Sequence, residues 1–212
     1  MCERIHVMLF LVPITISPVT VSMVATTVVA TTTIPDVPFY SQFKDITSPT
    51  WQKVGCGVTS LAMVIDYYKP AVPVNTLLKL GVASGAYLQN AGWTYKGLID
   101  LAKKYDLDGK SFDLGKSNSK TAFDEFKKQL KNGPVIASVH YKFDPKSTIP
   151  HLVVINGLEG DMLSYNDPAA KGGDKKISVE DFLKAWKKRF IVIKPYAKLA
   201  TAQKNKSMIT AY

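Results

Sequence analysis

The sequence predicts an α+β fold, with a helical N-terminal half packed on a mostly antiparallel sheet. Three observations predict it. Apolar residues recur at helical spacing in the segments between Val58 and Gly133. After Gly133 the period drops to two, in short β-branched runs bounded by turn residues. At 212 residues, 46% of them hydrophobic, the chain has room for one ordinary domain plus a terminal segment.

The domain is expected over residues 34–195, opening at "IPDVPFYSQF". "GVTSLAMVIDYY" sets Val58, Leu61, Ala62, Ile65 and Tyr68 on one helical face, and Pro70 and Pro73 stop that helix. A shorter helix follows around Val74 to Leu80, then a loop through "AGWT". "YKGLIDLAKKY" and "NSKTAFDEFKKQLKNG" read as two more helices, the second stopped by Gly133. "PVIASVHY", "HLVVING", "MLSYND" and "RFIVIKP" then read as strands. One helix, "SVEDFLKAWKKR", interrupts them and is opened by Ser178 as its N-cap.

The ends differ from the middle. No charged residue occurs from Val7 to Pro35. Residues 1–33 are therefore expected to be a secretory signal peptide, or a membrane anchor if uncleaved, although Glu3 cancels Arg4 in the n-region. The chain is accordingly expected to be exported. Residues 196–212 lack sustained periodicity and read as a basic, flexible tail.

Lys and Arg outnumber Asp and Glu by 27 to 17, a formal charge of +10. That excess favours solubility and weak contact with anionic surfaces such as a cell envelope. It does not read as nucleic-acid binding, because the basic residues are scattered along helices and no zinc-ligand spacing is present.

The chain has two cysteines, and Cys2 lies in the expected leader. Cys56 would then be the single thiol of the mature protein, a candidate reactive group or a buried apolar one. It stands between Gly55 and Gly57 where a helix begins. Helix N-termini expose unpaired N–H groups and a partial positive charge, which stabilise an anion there. The two glycines are expected to relieve the turn of bulk and let a substrate backbone approach.

A nucleophilic thiol needs a base. His6 is in the leader, which leaves His140 and His151. Folding "HLVVINGLEGDMLSYND" as a hairpin about Glu159 sets His151 opposite Asp167, on one face. Asp167 can then fix one ring nitrogen and leave the other for the thiol. Asn166 faces the other side by alternation, and Asn156 lies about 16–17 Å along the strand. His140 is a reserve base. One mature cysteine and two histidines offer no zinc set, so no metal or organic cofactor is expected.

"VPFYSQF", "GCGVTSLAMVIDYY", "GW", "LKNGPVIASV" and "HLVVINGLEGDMLSYNDP" together resemble the bacteriocin-leader-peptidase-like domain, cysteine peptidase family 39 and its stand-alone relatives, over roughly Ile34 to Pro195. The resemblance implies a papain-like fold with Cys56 as nucleophile, His151 as general base and acid, and Asp167 orienting the histidine. It further implies that Gln42 donates its side-chain amide to the oxyanion, beside the backbone N–H of Cys56. Trp93 matches a family position as well. Transporter-linked members carry membrane-spanning and ATP-binding parts, whereas this chain has no P-loop and no multi-span region. Its longer Gln42-to-Cys56 separation resembles the stand-alone relatives.

The expected function is an exported cysteine peptidase that hydrolyses amide bonds in a peptide or protein. Acyl transfer to an amine would use the same residues. The alternative is an inactive papain-like module that binds peptides or cell-envelope polymers.

Overall fold

The structure is a computed structural model that describes residues 36–89 and 91–196. The expected leader and the tail beyond Tyr196 lie outside the described residues.

Helix α1 is one short turn, Pro49–Gln52, started by the proline. Helix α2 spans Cys56–Tyr68 and buries nine consecutive residues, Gly57 to Ile65, so it runs through the interior and not along the surface. Helix α3 spans Val74–Ala83. Helix α4, Tyr95–Lys103, is capped by the Thr94 side chain, which accepts from the Gly97 N–H. Helix α5, Ser119–Leu130, is capped in the same way by Asn118. Helix α6, Val179–Ala185, has the predicted Ser178 cap, accepting from Asp181 N–H.

Strands β1 (Tyr87–Leu88) and β2 (Gly92–Trp93) form a small antiparallel pair within what reads as a loop in sequence. The main sheet uses β3 (Leu107–Asp113), β4 (Val135–His140), β5 (Pro150–Glu159), β6 (Met162–Asn166), β7 (Lys175–Ser178) and β8 (Trp186–Pro195). Their order is β3-β8-β4-β5-β6-β7, and every pairing is antiparallel.

Alternation along the central strands divides the interior into two cores. Ile136, Leu152, Val154, Ile191 and Ile193 join α2, α3 and α4 on one side. Val135, Ala137, Val139, Val153, Ile155, Phe190 and Val192 join α5 and α6 on the other. The central strands are thus apolar on both faces, which explains their unbroken β-branched runs.

Two differences from the sequence reading have clear causes. The front half is not wholly helical: "LDGKSFD" is the edge strand β3, whose burial is too slight for alternation to announce it. The helix expected to reach Arg189 stops at Ala185. The next residues pair as β8, with a register shift opposite Ser138–Val139 and Lys188 at φ 53°. Strand pairing overrides the helical spacing of "FLKAWKKR" there, because β8 lies between β3 and β4 and completes both ladders.

Candidate active site

Cys56 is the first residue of α2, and its side chain is only partly buried. Gly55 before it supplies no side-chain cap, and the first turn contains no acid. The early N–H groups of α2 are therefore free of side-chain competitors beside the sulfur. The glycines do relieve the turn of bulk, and the neighbours that need the room are side chains of the protein. A Cβ on Gly57 would stand 2.7 Å from Trp93 Cβ and Cγ, and one on Gly55 would meet the Ile46 side chain and stand 3.2 Å from Gln42 Cβ. Protein side chains, not a substrate backbone, fill the space those glycines leave. Trp93 closes this packing by donating Nε1–H to the Val54 carbonyl at 2.7 Å, two residues before the cysteine.

Strand β5 supplies His151 and the end of β6 leads into Asp167. His151 Nε2 and Asp167 Oδ1 are 2.6 Å apart and buried. The ladder that brings them together differs from the symmetric hairpin expected. Its turn is Gly160–Asp161, with Glu159 opposite Met162 and Gly160 at φ 58°. A bulge at Asn156 then shifts the register, so that Ile155 faces Tyr165 and Val154 faces Asn166. Continued one step, this sets Asp167 opposite Val153, two residues from His151 on the same side of the ladder. Were the ladder unbroken through Asn156, Asp167 would fall opposite Val154, on the side away from His151. The bulge is what keeps the two residues on one side.

The electrostatics follow from this contact. Burial pushes the His151 imidazole down, but the Asp167 hydrogen bond and charge, together with the influence of the nearby Cys56 sulfur, outweigh it, raising the ring from 6.5 to about 9. With Nε2 given to Asp167, Nδ1 is the nitrogen left for Cys56. Burial also pushes the Asp167 carboxyl up; the His151 hydrogen bond and charge and the Ala169 N–H prevail, leaving it below its ordinary value. Ala169 N–H donates to Asp167 Oδ1 at 2.8 Å. Asn166 serves elsewhere: its amide donates to the Val37 and Pro38 carbonyls and its oxygen accepts from Asp174 N–H.

Gln42 is 4% exposed and packs over the turn before Cys56. Its Nε2 donates to the Gln52 carbonyl at 2.6 Å, which uses one of its two N–H groups, while Oε1 is buried without a partner among the described residues. The Gln42 N–H donates to the Pro168 carbonyl at 2.8 Å, and Ser41 Oγ donates to the Ala170 carbonyl at 3.1 Å. The Gln42 loop and the Asp167 loop are thus sewn together. His140, the reserve base, is occupied in its own loop, with Nδ1 2.5 Å from the Ser147 carbonyl.

Sequence reasoning missed Gln52 and Tyr141. The Gln52 side chain donates to the Phe43 and Ile46 carbonyls and closes the loop around Gln42. The Tyr141 ring stands perpendicular to that of His151, with centroids 5.2 Å apart. Neither residue carries a spacing signal, since Gln52 ends a single helical turn and Tyr141 opens the turn directly after β4.

A model described as the Peptidase_C39 like family matches residues 34–190. The transport/processing ATP-binding protein MesD for mesentericin Y105, from Leuconostoc mesenteroides, is 28% identical over 157 residues, which are 74% of this chain and 20% of that protein. Among solved structures, a double glycine motif protease from an AMS/PCAT transporter, in complex with the leader peptide, is 27% identical with a TM-score of 0.53, covering 76% of this chain and 93% of that one. The peptidase domain of Streptococcus ComA, a bi-functional ABC transporter, gives 23% and 0.52, covering 68% and 93%. A C39-like peptidase from Bacillus anthracis gives 22% and 0.51, covering 76% and 96%. The last two share the fold, which is papain-like.

These relatives correct one expectation. MesD and the double glycine motif protease are named for transport systems, not for exported enzymes, so export does not stand. Among the described residues no helix is long and apolar enough to cross a membrane. The physical reason lies in what hydropathy measures: a long uncharged run satisfies the apolar requirement of a leader without specifying a destination.

Proposed function

The chain belongs to the Peptidase_C39 like family of cysteine-type peptidases, and we propose that Cys56, His151 and Asp167 cleave a peptide bond by covalent catalysis. The observation that carries this reading is one buried imidazole bonded to Asp167 at Nε2, with Cys56 near enough to raise its affinity for a proton. A ring pinned at one nitrogen by a carboxylate can move a proton only at the other, which is the nitrogen this reading gives to the sulfur.

The thiolate of Cys56 attacks the carbonyl carbon and forms a C–S bond, moving the carbonyl electrons onto oxygen. The second amide N–H of Gln42 and the Cys56 backbone N–H are the donors for that oxyanion. Collapse breaks the C–N bond while imidazolium His151 gives its Nδ1 proton to the departing amine. Neutral His151 then takes a proton from water, whose oxygen adds to the thioester. Collapse releases the carboxylic acid and returns the thiolate–imidazolium pair. Net, one amide and one water become an amine and an acid.

A peptide substrate is supported by the related protease in complex with a leader peptide. A peptide carrying a double glycine is therefore the first substrate to try. The deciding experiment is digestion of a peptide library, spiked with such a peptide, by the protein and by its Cys56→Ala variant. Cleavage products that vanish with Cys56→Ala and with His151→Ala support the mechanism. Equal cleavage by Cys56→Ala overturns it.

A further inference from the structure

The hydroxyl of Ser60 joins the helix that carries Cys56 to the strand that carries His151. Ser60 lies one helical turn after Cys56, on the same face of α2. It is 0% exposed, and its Oγ donates to the Leu152 carbonyl at 3.2 Å, across 92 residues of sequence. Leu152 is the residue directly after His151.

The neighbouring residue supplies the contrast. Thr59 is as deeply buried as Ser60, yet its hydroxyl has no hydrogen-bond partner among the described residues. Two adjacent buried hydroxyls thus differ in one respect, since only that of Ser60 bridges to β5. Apart from the Cys56 and His151 side chains themselves, α2 and β5 share an apolar core that includes Leu61, Ile65, Leu152 and Val154. Apolar contact is non-directional. A hydrogen bond has a preferred length and angle, so it fixes where the helix stands along the strand.

We infer that Ser60 is a positioning residue, which sets the approach of the Cys56 sulfur to the His151 ring through the Leu152 carbonyl. The inference rests on the proposed roles of Cys56 and His151. Its leverage comes from geometry, since a misplacement of about 1 Å between reacting groups costs up to roughly a hundredfold in rate. The sulfur and the ring lie on separate elements, and Ser60 ties those elements together one turn from the sulfur and one residue from the ring.

The test compares Ser60→Ala with Thr59→Val. Three quantities are read: kcat per alkylatable Cys56, KM, and the pH profile of Cys56 alkylation by iodoacetamide. Ser60→Ala should lower kcat about five- to twentyfold, leave KM within about twofold, and shift the alkylation profile as the thiol–imidazole contact loosens. Thr59→Val should leave all three unchanged. Should Ser60→Ala not fold, Ser60→Cys, close in volume and a weaker donor, repeats the turnover measurement and should lower kcat in the same sense. Wild-type kcat and profile in the Ser60 variant, or an equal loss in Thr59→Val, overturns the inference. Failure of the underlying site reading looks different: the unaltered protein would then show no Cys56-dependent turnover at all.

Discussion

His151 and Asp167 share a hydrogen bond of 2.6 Å although the ladder does not place them directly opposite each other. Asp167 reaches diagonally from beyond the end of β6, and Ala169 N–H holds the same oxygen. Asp167→Asn would keep the shape but remove the charge that favours imidazolium. It should lower kcat by two orders of magnitude or more while leaving the thermal midpoint within a few degrees. Steady-state kinetics beside a thermal melt check both halves.

The raised His151 value makes stability depend on pH. A group whose value rises on folding contributes fully below its unfolded value, 6.5 here, and loses that contribution as pH climbs through the folded value of about 9. The urea midpoint should therefore fall across that window, and the fall should be absent in His151→Ala. Asp167 acts in the opposite sense: its contribution is present above its ordinary value of 3.8 and disappears as pH drops through its lowered one. Urea titrations at a series of pH values separate the two limbs.

Gln42 is predicted to act on the oxyanion and not on the thiol. Gln42→Ala should lower kcat by about 10²–10³-fold, the usual cost of one missing oxyanion donor. Alkylation of Cys56 by iodoacetamide forms no oxyanion, so its rate should stay within about threefold. Parallel loss of both rates would mean that the substitution had disturbed the turn under Cys56.

Gly57→Ala should destabilise the protein by about 1–3 kcal/mol, because overpacking at a filled position costs that much. The added Cβ meets Trp93 at its own Cβ and Cγ, the root of the side chain, which cannot swing aside. A lowered urea midpoint at unchanged slope is the expected reading, and Trp93→Ala in the same chain should recover part of it.

Much of this was legible in sequence because local patterns wrote it. The apolar face of α2, the Ser178 cap and the strand runs of β4, β5 and β6 each depend on neighbours in the chain. What was not legible depends on distant partners. β3 is a strand because β8 pairs with it, and β8 begins at Trp186 because β4 needs a neighbour. His151 and Asp167 were matched by a symmetric hairpin, yet the turn lies further along and the bulge at Asn156 restores their shared side. A displaced turn and an unforeseen bulge offset each other. The Gln42 loop, held by Pro168 and Ala170 carbonyls from across the chain, had no local signature at all.

The unpaired residue in β5 also bears on how kindred sequences should be lined up. Asn156 has no ladder partner, so excising it would leave every remaining couple, from Ile155–Tyr165 onward, matched as before. A separation of 16 positions between imidazole and carboxylate is therefore no fixed signature. A chain one position shorter at this point would present the same two groups to each other, and a search that penalised the gap would discard it wrongly.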